Sequence, residues 1–388
     1  SMRWLWLTLA LLIIGTVILV VIGRQTIAYV DNVREPVEEF LRQQIGLQVN
    51  LGELRGEWPR LVPIIEVDQL SIAATDAPDN ESPMLSLEGA RADLDLFNSL
   101  LHGSPIWREL AVAKLALTLV EDKVGRWSLK GFTSEGDTDL SLIVDPLTYS
   151  RLIRFDDVQT KLEFYSGKSM MLSARNVAME NAQDFHRAEL SVSTLDDALV
   201  ASEKVLASAS PAYLLIEGQG DLTDIESFSA EGYFRFDDLN LSEPLADLVR
   251  SLMPELFANL PDFKANAQGE IWVALHPGGA MGFEGNLAVG EVPLNWLADV
   301  PPVTEIKTEV TGWYTPGSDW GARLQGFSFS WSDTSIEPLN LVFNQRLGSR
   351  WHDFDLSVNH LDLTLMSELL YTTRIADQKI LDIVDRLK

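Results

Sequence analysis

Val158–Phe164 reads VQTKLEF, and the interpretation of this stretch decides the fold. Val158, Thr160, Leu162 and Phe164 take every second position, with Gln159, Lys161 and Glu163 between them. Successive side chains of an extended chain leave on opposite sides, so this spacing makes a strand with one apolar and one wet face. A helix would scatter the same residues around its circumference.

The pattern repeats outward from this stretch. Upstream, Leu115, Leu117 and Leu119 alternate with Ala116 and Thr118, and Leu47, Val49 and Leu51 with Gln48 and Asn50. Downstream, Phe234 and Phe236 flank Arg235, and Ile271, Val273 and Leu275 share a face. Phe283, Leu287 and Val289 lie on one side of a segment punctuated by Gly285. Phe327, Phe329 and Trp331 follow, then Leu339, Leu341 and Phe343, then Phe354, Leu356 and Val358. Turn signals separate them at Pro78-Asp79-Asn80, Ser166-Gly167-Lys168, Pro277-Gly278-Gly279 and Pro316-Gly317-Ser318-Asp319. The expected class is mainly β: antiparallel strands joined by hairpin turns into a sheet with one apolar face.

Helical patterns interrupt the strands. Asp31–Ile45 places Val33, Val37, Phe40, Leu41 and Ile45 on one stripe, with Pro36 near the start and Gly46 at the end. Phe97–His102 is a short helical turn. Ser242–Leu260 opens on an N-cap serine and is broken by Pro254, and Leu363–Lys388 carries a final helical pattern. The loose boundaries are an anchor over 1–25, an N-terminal helix and first β section over 26–135, and a continuing β section over 136–362. The C-terminal helix takes 363–388. Ser1 precedes what reads as an initiator Met2, and no cap follows Lys388, so a piece of a longer chain is expected.

Trp4–Ile22 runs nineteen residues without a charge. As a helix it spans about 28 Å, close to the hydrocarbon thickness of a bilayer. A cleaved signal has a shorter apolar region and a small-residue site after it; Ile22-Gly23-Arg24-Gln25 offers no such site. The run is read as an uncleaved anchor, with Trp4 and Trp6 at the interface. Arg3 precedes it and Arg24, Arg34 and Arg42 follow, which counted naively puts the large domain in the cytoplasm. Interleaved acids weaken that bias, and a short tail before a long domain is also what an export-directed anchor has. With no cysteine, the chain neither needs nor excludes oxidising conditions.

A formal charge of −27 argues against a nucleic-acid partner, which requires a basic face. Any contact with lipid must then use apolar surface. The composition is that of a folded domain.

Catalytic chemistry finds little support. His102, His186, His276, His352 and His360 show no ligand spacing, and a thiolate zinc site needs the cysteine this chain lacks. Asp156-Asp157, Asp196-Asp197 and Asp237-Asp238 lack calcium-loop spacing and read as solvated turns. Gly167-Lys168-Ser169 lacks the upstream glycine of a phosphate loop, having Leu162 there, and Gly218-Gln219-Gly220 lacks the third glycine of a dinucleotide loop. No G-x-S-x-G elbow occurs, and nothing in the order of the acids selects a catalytic pair. The expectation is a protein without enzymatic activity, cofactor or metal. Trp58, Trp127, Trp272, Trp313, Trp320, Trp331 and Trp351 read as sheet packing and hairpin edges.

Three features together carry a resemblance: the N-terminal span, the amphipathic helix running into Gly46-Leu47-Gln48-Val49, and Gly56-Glu57-Trp58 followed by a strand around Ile64–Ile72. They resemble the start of the AsmA-like envelope proteins, the YhdP-type members in particular, which are relatives of TamB. Val112–Val120 followed by Gly125-Arg126-Trp127-Ser128-Leu129 is similar to the strand, turn and strand that come next in that family. The resemblance covers about the first 135 residues.

It implies a single-pass inner-membrane protein anchored through Trp4, Trp6, Leu12, Ile18 and Ile22, with its bulk in the periplasm. It also implies a bridge-like phospholipid carrier, in which a long twisted antiparallel sheet curls into an apolar groove leading toward the outer membrane. The lining expected is Leu115, Leu117, Leu119, Leu162, Phe164, Phe234, Phe236, Ile271, Val273, Phe283, Leu287, Phe327, Phe329, Leu341, Phe343, Leu356 and Val358. Each buried CH₂ is worth about 0.8 kcal/mol, so a continuous apolar floor shelters an acyl chain without fixing it at one site. The partners implied are phospholipid, the inner membrane and other envelope proteins. Two readings compete. A sheet closed into a sandwich would make a membrane-anchored scaffold or outer-membrane assembly factor with no lipid path. An anchored hydrolase would gather acids in a pocket.

Overall fold

The protein is described from a computed structural model. It describes residues 29–45, 48–59, 62–73, 83–102, 106–130, 149–195, 212–221, 226–240, 265–292, 301–332, 334–346, 353–358 and 363–373, with a few isolated positions between them. The anchor residues Trp4, Trp6, Leu12, Ile18 and Ile22, and nearly all of Ser242–Leu260, lie outside the described residues. Among the described residues no helix is long and apolar enough to cross a membrane. The chain divides into two compact units, Ser1–Leu190 and Ser191–Lys388.

The first unit begins with a 3-10 turn, Val30–Val33, leading into helix α1 (Arg34–Ile45). Strands β1 (Gln48–Leu51) and β2 (Leu54–Glu57) follow, then β3 (Ile64–Ala73) and β4 (Leu85–Leu94). Both β1 and β2 pair with β3, one after the other along the same edge, and β3 pairs with β4. Helix α2 (Leu96–His102) connects to β5 (Trp107–Glu121), and Asp95 caps its start by accepting from the Asn98 N–H at 3.1 Å. The turn over Gly125 then leads into β6 (Trp127–Leu129).

One expectation is corrected here: the sheet is mixed. Strand β7 (Leu152–Glu163) runs parallel to β5 from Glu109↔Leu152 to Val120↔Glu163. The reason lies in β6, which occupies the side of β5 that β4 leaves free beyond Leu117. Chain between Lys130 and Arg151 intervenes before β7, which enters the other side of β5 in the same direction. Alternation in sequence fixes which face a residue takes, not the direction of its neighbour. The Ser166-Gly167-Lys168 turn forms as expected, with Gly167 at φ +83°, and returns the chain through β8 (Ser169–Ala182), antiparallel to β7. Strand β9 (Phe185–Leu195) follows.

The second unit is an antiparallel meander in chain order. It comprises β10 (Ala212–Gln219), β11 (Ser229–Asn240), β12 (Asn266–Leu275), β13 (Met281–Val292), β14 (Val303–Thr315) and β15 (Asp319–Trp331). The short β16 (Thr334–Ser335) lies beside β15; β17 (Leu339–Arg346) pairs with β15, and β18 (Asp353–Val358) with β17. Helix α3 (Leu363–Thr373) comes next. The turns at Gly278-Gly279 and Gly317 have positive φ, as their sequence signals require.

Among the described residues of the second unit no pairing joins β18 back to β10, so that part of the sheet does not close on itself. In the first unit a buried cluster of Val49, Ile72 and Met84 sits where β1, β3 and β4 meet. In the second, Ala212, Phe236, Ala265, Ala267 and Val289 form a buried cluster at one end of the apolar face.

Candidate functional site

The register aligns the alternating residues of neighbouring strands into rows that cross the sheet. In the second unit one row runs Leu214, Phe234, Ile271, Gly285, Val310, Leu324, Leu341 and Leu356. A second runs Ile216, Gly232, Val273, Phe283, Gly312, Ala322, Phe343 and Phe354. Neither contains a charge or a side-chain hydrogen-bonding group. The rows of the opposite face carry Arg235, Glu270, Asn286, Glu309 and Gln325, then Tyr233, Trp272, Glu284, Thr311 and Arg323.

The first unit repeats the arrangement. Leu51, Leu70, Leu87, Leu115, Val158 and Ala174 form one apolar row; Val49, Ile72, Leu85, Leu117 and Leu172 form the next, with Thr160 its one hydroxyl. Leu119 and Leu162 continue it with Met170. On the other face Arg55, Glu66 and Arg91 are adjacent in register and ion-paired, and Arg154 pairs with Glu109. Exposed pairs of this kind add little stability, but they mark the wet side.

Most of the expected lining residues are half-buried. Leu115, Leu117, Leu119, Phe234, Ile271, Val273, Phe283, Leu287, Phe327, Leu341 and Phe343 are all of this kind. Ile216, on the same floor, is 37% exposed. Two sheets stacked about 10 Å apart would bury such rows almost completely. Leu162, Phe164, Phe236 and Phe329 differ, being buried. Phe164 lies beyond the end of β7 and meets the Trp127 ring edge-on at 5.4 Å, so it closes a corner and is not open lining. Leu356 and Val358 keep the expected register on β18; their side chains lie outside the described residues.

Glycines opposite aromatic rings keep the floor low. A Cβ on Gly312 would stand 2.1 Å from the Phe283 ring, so that ring lies across the β14 backbone. Phe236 approaches Gly269 in the same way, at 3.3 Å. The ring fills the side-chain space that glycine leaves.

Sequence reasoning missed the main irregularity. Along β3 the apolar phase is Ile65, Val67 and then Leu70, Ile72; along β4 it is Leu85, Leu87 and then Ala90, Ala92. Along β7 it is Ile153, Phe155 and then Val158, Thr160. A slip of one residue ought to turn the rest of each strand over. It does not, because the backbone slips too. Asp68-Gln69, Glu88-Gly89 and Arg175-Asn176 are consecutive exposed pairs, the ladder lapses at Asp68, Gly89, Ala113, Asp156 and Asn176, and Gly89 and Asn176 have φ of +63° and +52°.

The second unit differs in having true bulges with a register shift, in β11 between Phe236 and Leu239 and in β15 between Leu324 and Phe327, where Gly326 has φ +61°. Asp156-Asp157 and Asp237-Asp238 are therefore not turns, as expected from their composition, but lie within strands, at a lapse of the ladder in β7 and at a bulge in β11. Asp196-Asp197 lies outside the described residues.

Charged groups stay at the rim and on the wet face. Burial pushes the Glu163 carboxyl up, but a hydrogen bond from Lys161 and the charge of Lys130 outweigh it and hold the group below its ordinary value. Tyr233 is raised by burial and by neighbouring Glu270, and its ring stacks 5.2 Å from Trp272, which is 43% exposed on the wet face. His186 is tied at 2.7 Å to Asn181, which donates to the Ser150 carbonyl at 2.7 Å, a buried strut between β8 and the entry to β7. Among the described residues no three His, Asp or Glu side chains are grouped to hold a metal ion.

These features define an open β-sheet protein with one apolar face continuous from strand to strand within each unit. The chain belongs to the YhdP family: the family described as YhdP protein matches residues 1–388, the whole sequence. No curated protein and no solved structure matches it.

Proposed function

We propose that this protein is a membrane-anchored segment of a bridge-like phospholipid carrier, moving lipid between the inner and outer membranes along its apolar floor. The observation that carries the reading is the uncharged row from Leu214 to Leu356, in which every residue offers hydrocarbon or bare backbone and the backbone itself is engaged in the ladder. Eight strands in register extend about 34 Å, at about 4.8 Å each. One leaflet's acyl layer is about 15 Å deep. An acyl chain laid across the strands therefore has several equivalent positions, as sliding requires.

Location and chemistry follow from the same reading. The uncharged Trp4–Ile22 run supports a single inner-membrane anchor, and family membership supports a periplasmic body. No catalytic residue, cofactor or metal takes part; the groove works by sheltering hydrocarbon from water. The net charge of −27 disfavours nucleic acid and leaves apolar contact as the means of holding lipid.

The test is mass spectrometry of the full chain extracted from membranes in polymer discs and then freed of bulk lipid. Phospholipid retained by the protein supports the reading. A protein free of lipid but crosslinked to another envelope protein would replace it with a scaffold.

A further inference from the structure

The ladder of the first unit lapses on one line across β3, β4, β5, β7 and β8, at Asp68, Gly89, Ala113, Asp156 and Asn176, with one added residue in each strand and the register between strands kept. All five of these residues are exposed, while the apolar residues on either side of the line are more buried: Val67 and Leu70, Ala90 and Leu87, Val112 and Leu115. The extra residue in each strand thus lengthens the wet side alone. A strand with added length on one side bends toward the other. Repeated at the same level in successive strands, the bend becomes a crease, convex on the wet face and concave on the apolar face.

We propose that this crease is the axis of the lipid path in the first unit, with the Leu70–Leu115 row as one wall of a trough and the Val67–Val112 row as the other. The inference rests on the lipid-carrier reading and deepens it. It assigns Gly89 and Asn176 as positioning residues, which set the bend without touching the acyl chain. Both hold positive φ, a conformation that β-branched residues resist. The walls face each other across the line, so hydrocarbon lying in the crease meets apolar side chains on two sides, whereas on a flat floor it meets them on one.

The experiment is photocrosslinking of the full chain with a phosphatidylcholine carrying a diazirine on its acyl chain, mapped by mass spectrometry. Crosslinks are expected on both walls next to the line, at the half-buried Leu87 and Leu115 and at the half-buried Val67 and Phe155, above those at the far rows. In Gly89→Val, crosslinking at Leu87 and Val67 is lost relative to Leu119, and Gly89→Asn retains it. Crosslinks confined to one side of the line, or an unchanged map in a folded Gly89→Val protein, would overturn the crease while leaving lipid carriage intact. No crosslink anywhere on the apolar face would overturn both.

Discussion

The backbone N–H of Leu51 donates to the Glu38 carboxylate at 2.6 Å, and that of Leu54 donates to Asp31 at 3.1 Å. Strands β1 and β2 give their other side to β3, so these two N–H groups face outward from the sheet. An open edge is a template for pairing with another chain. Acids spaced seven residues apart fall on one side of the helical segment and take up the edge donors. The N-terminal helix thus serves as an edge cover.

Removing that cover has a defined consequence. Glu38→Ala should cost about 1.5–3 kcal/mol, the range for a hydrogen bond to a charged group. Hydrogen exchange at the Leu51 amide should quicken, while the Gly52 amide, bonded to the Gln69 carbonyl, stays protected. Equal exchange in variant and parent would show that the edge is covered by something else.

The glycine at position 312 is fixed by the ring above it. Gly312→Val forces the Phe283 ring off the β14 backbone and should destabilise the second unit by about 1–3 kcal/mol, as overpacking does. The change is read by thermal or urea unfolding. Phe283→Leu combined with Gly312→Ala should recover part of the loss, since the smaller side chain makes room.

Two lining candidates should separate by burial. Phe164 is 5% exposed against Trp127, so Phe164→Asp buries a charge and should unfold this corner. Leu117 is half-buried on the open floor, and Leu117→Asp should keep the fold. Circular dichroism and limited proteolysis of the two variants check this directly.

The β5–β6 turn should loosen in acid. The Asp122 carboxylate accepts from the Arg126 N–H, the Arg126 guanidinium and the Val124 N–H, each at 2.9 Å. Of these the Arg126 backbone bond contributes most to holding the carboxyl below its ordinary value. A carboxyl lowered on folding contributes stability that is present above its unfolded value of about 3.9 and is lost as pH falls through its folded value. Amide exchange at Val124 and Arg126 should therefore quicken only below about pH 4, and Asp122→Asn should blunt that dependence.

The sequence exposed the strands and their faces because alternation is a local property: Leu115, Leu117 and Leu119 show their side of the sheet without reference to any neighbour. Strand direction is not local, so the parallel pairing of β5 and β7 stayed hidden; its cause is where β6 lies. The aligned slip of the first unit was half-legible. Asp156-Asp157 stands between Phe155 and Val158, two acids in a row followed by an apolar phase shifted by one. Read alone that pair resembles a turn. Read together with the same slip at Gly89 and Asn176, it marks a lapse of the ladder, but only the register puts those positions on one line. Burial of Phe164 was beyond alternation too, since it depends on Trp127 arriving from another strand.

The most direct measurement compares two neighbours on one strand of the second unit. Leu341 lies on the apolar floor and Val342 on the wet face of β17. Bound phospholipid is quantified by mass spectrometry in Leu341→Asp and Val342→Asp, each checked for folding. Lipid should be lost from Leu341→Asp and kept by Val342→Asp. Equal lipid content in the two folded variants would contradict it.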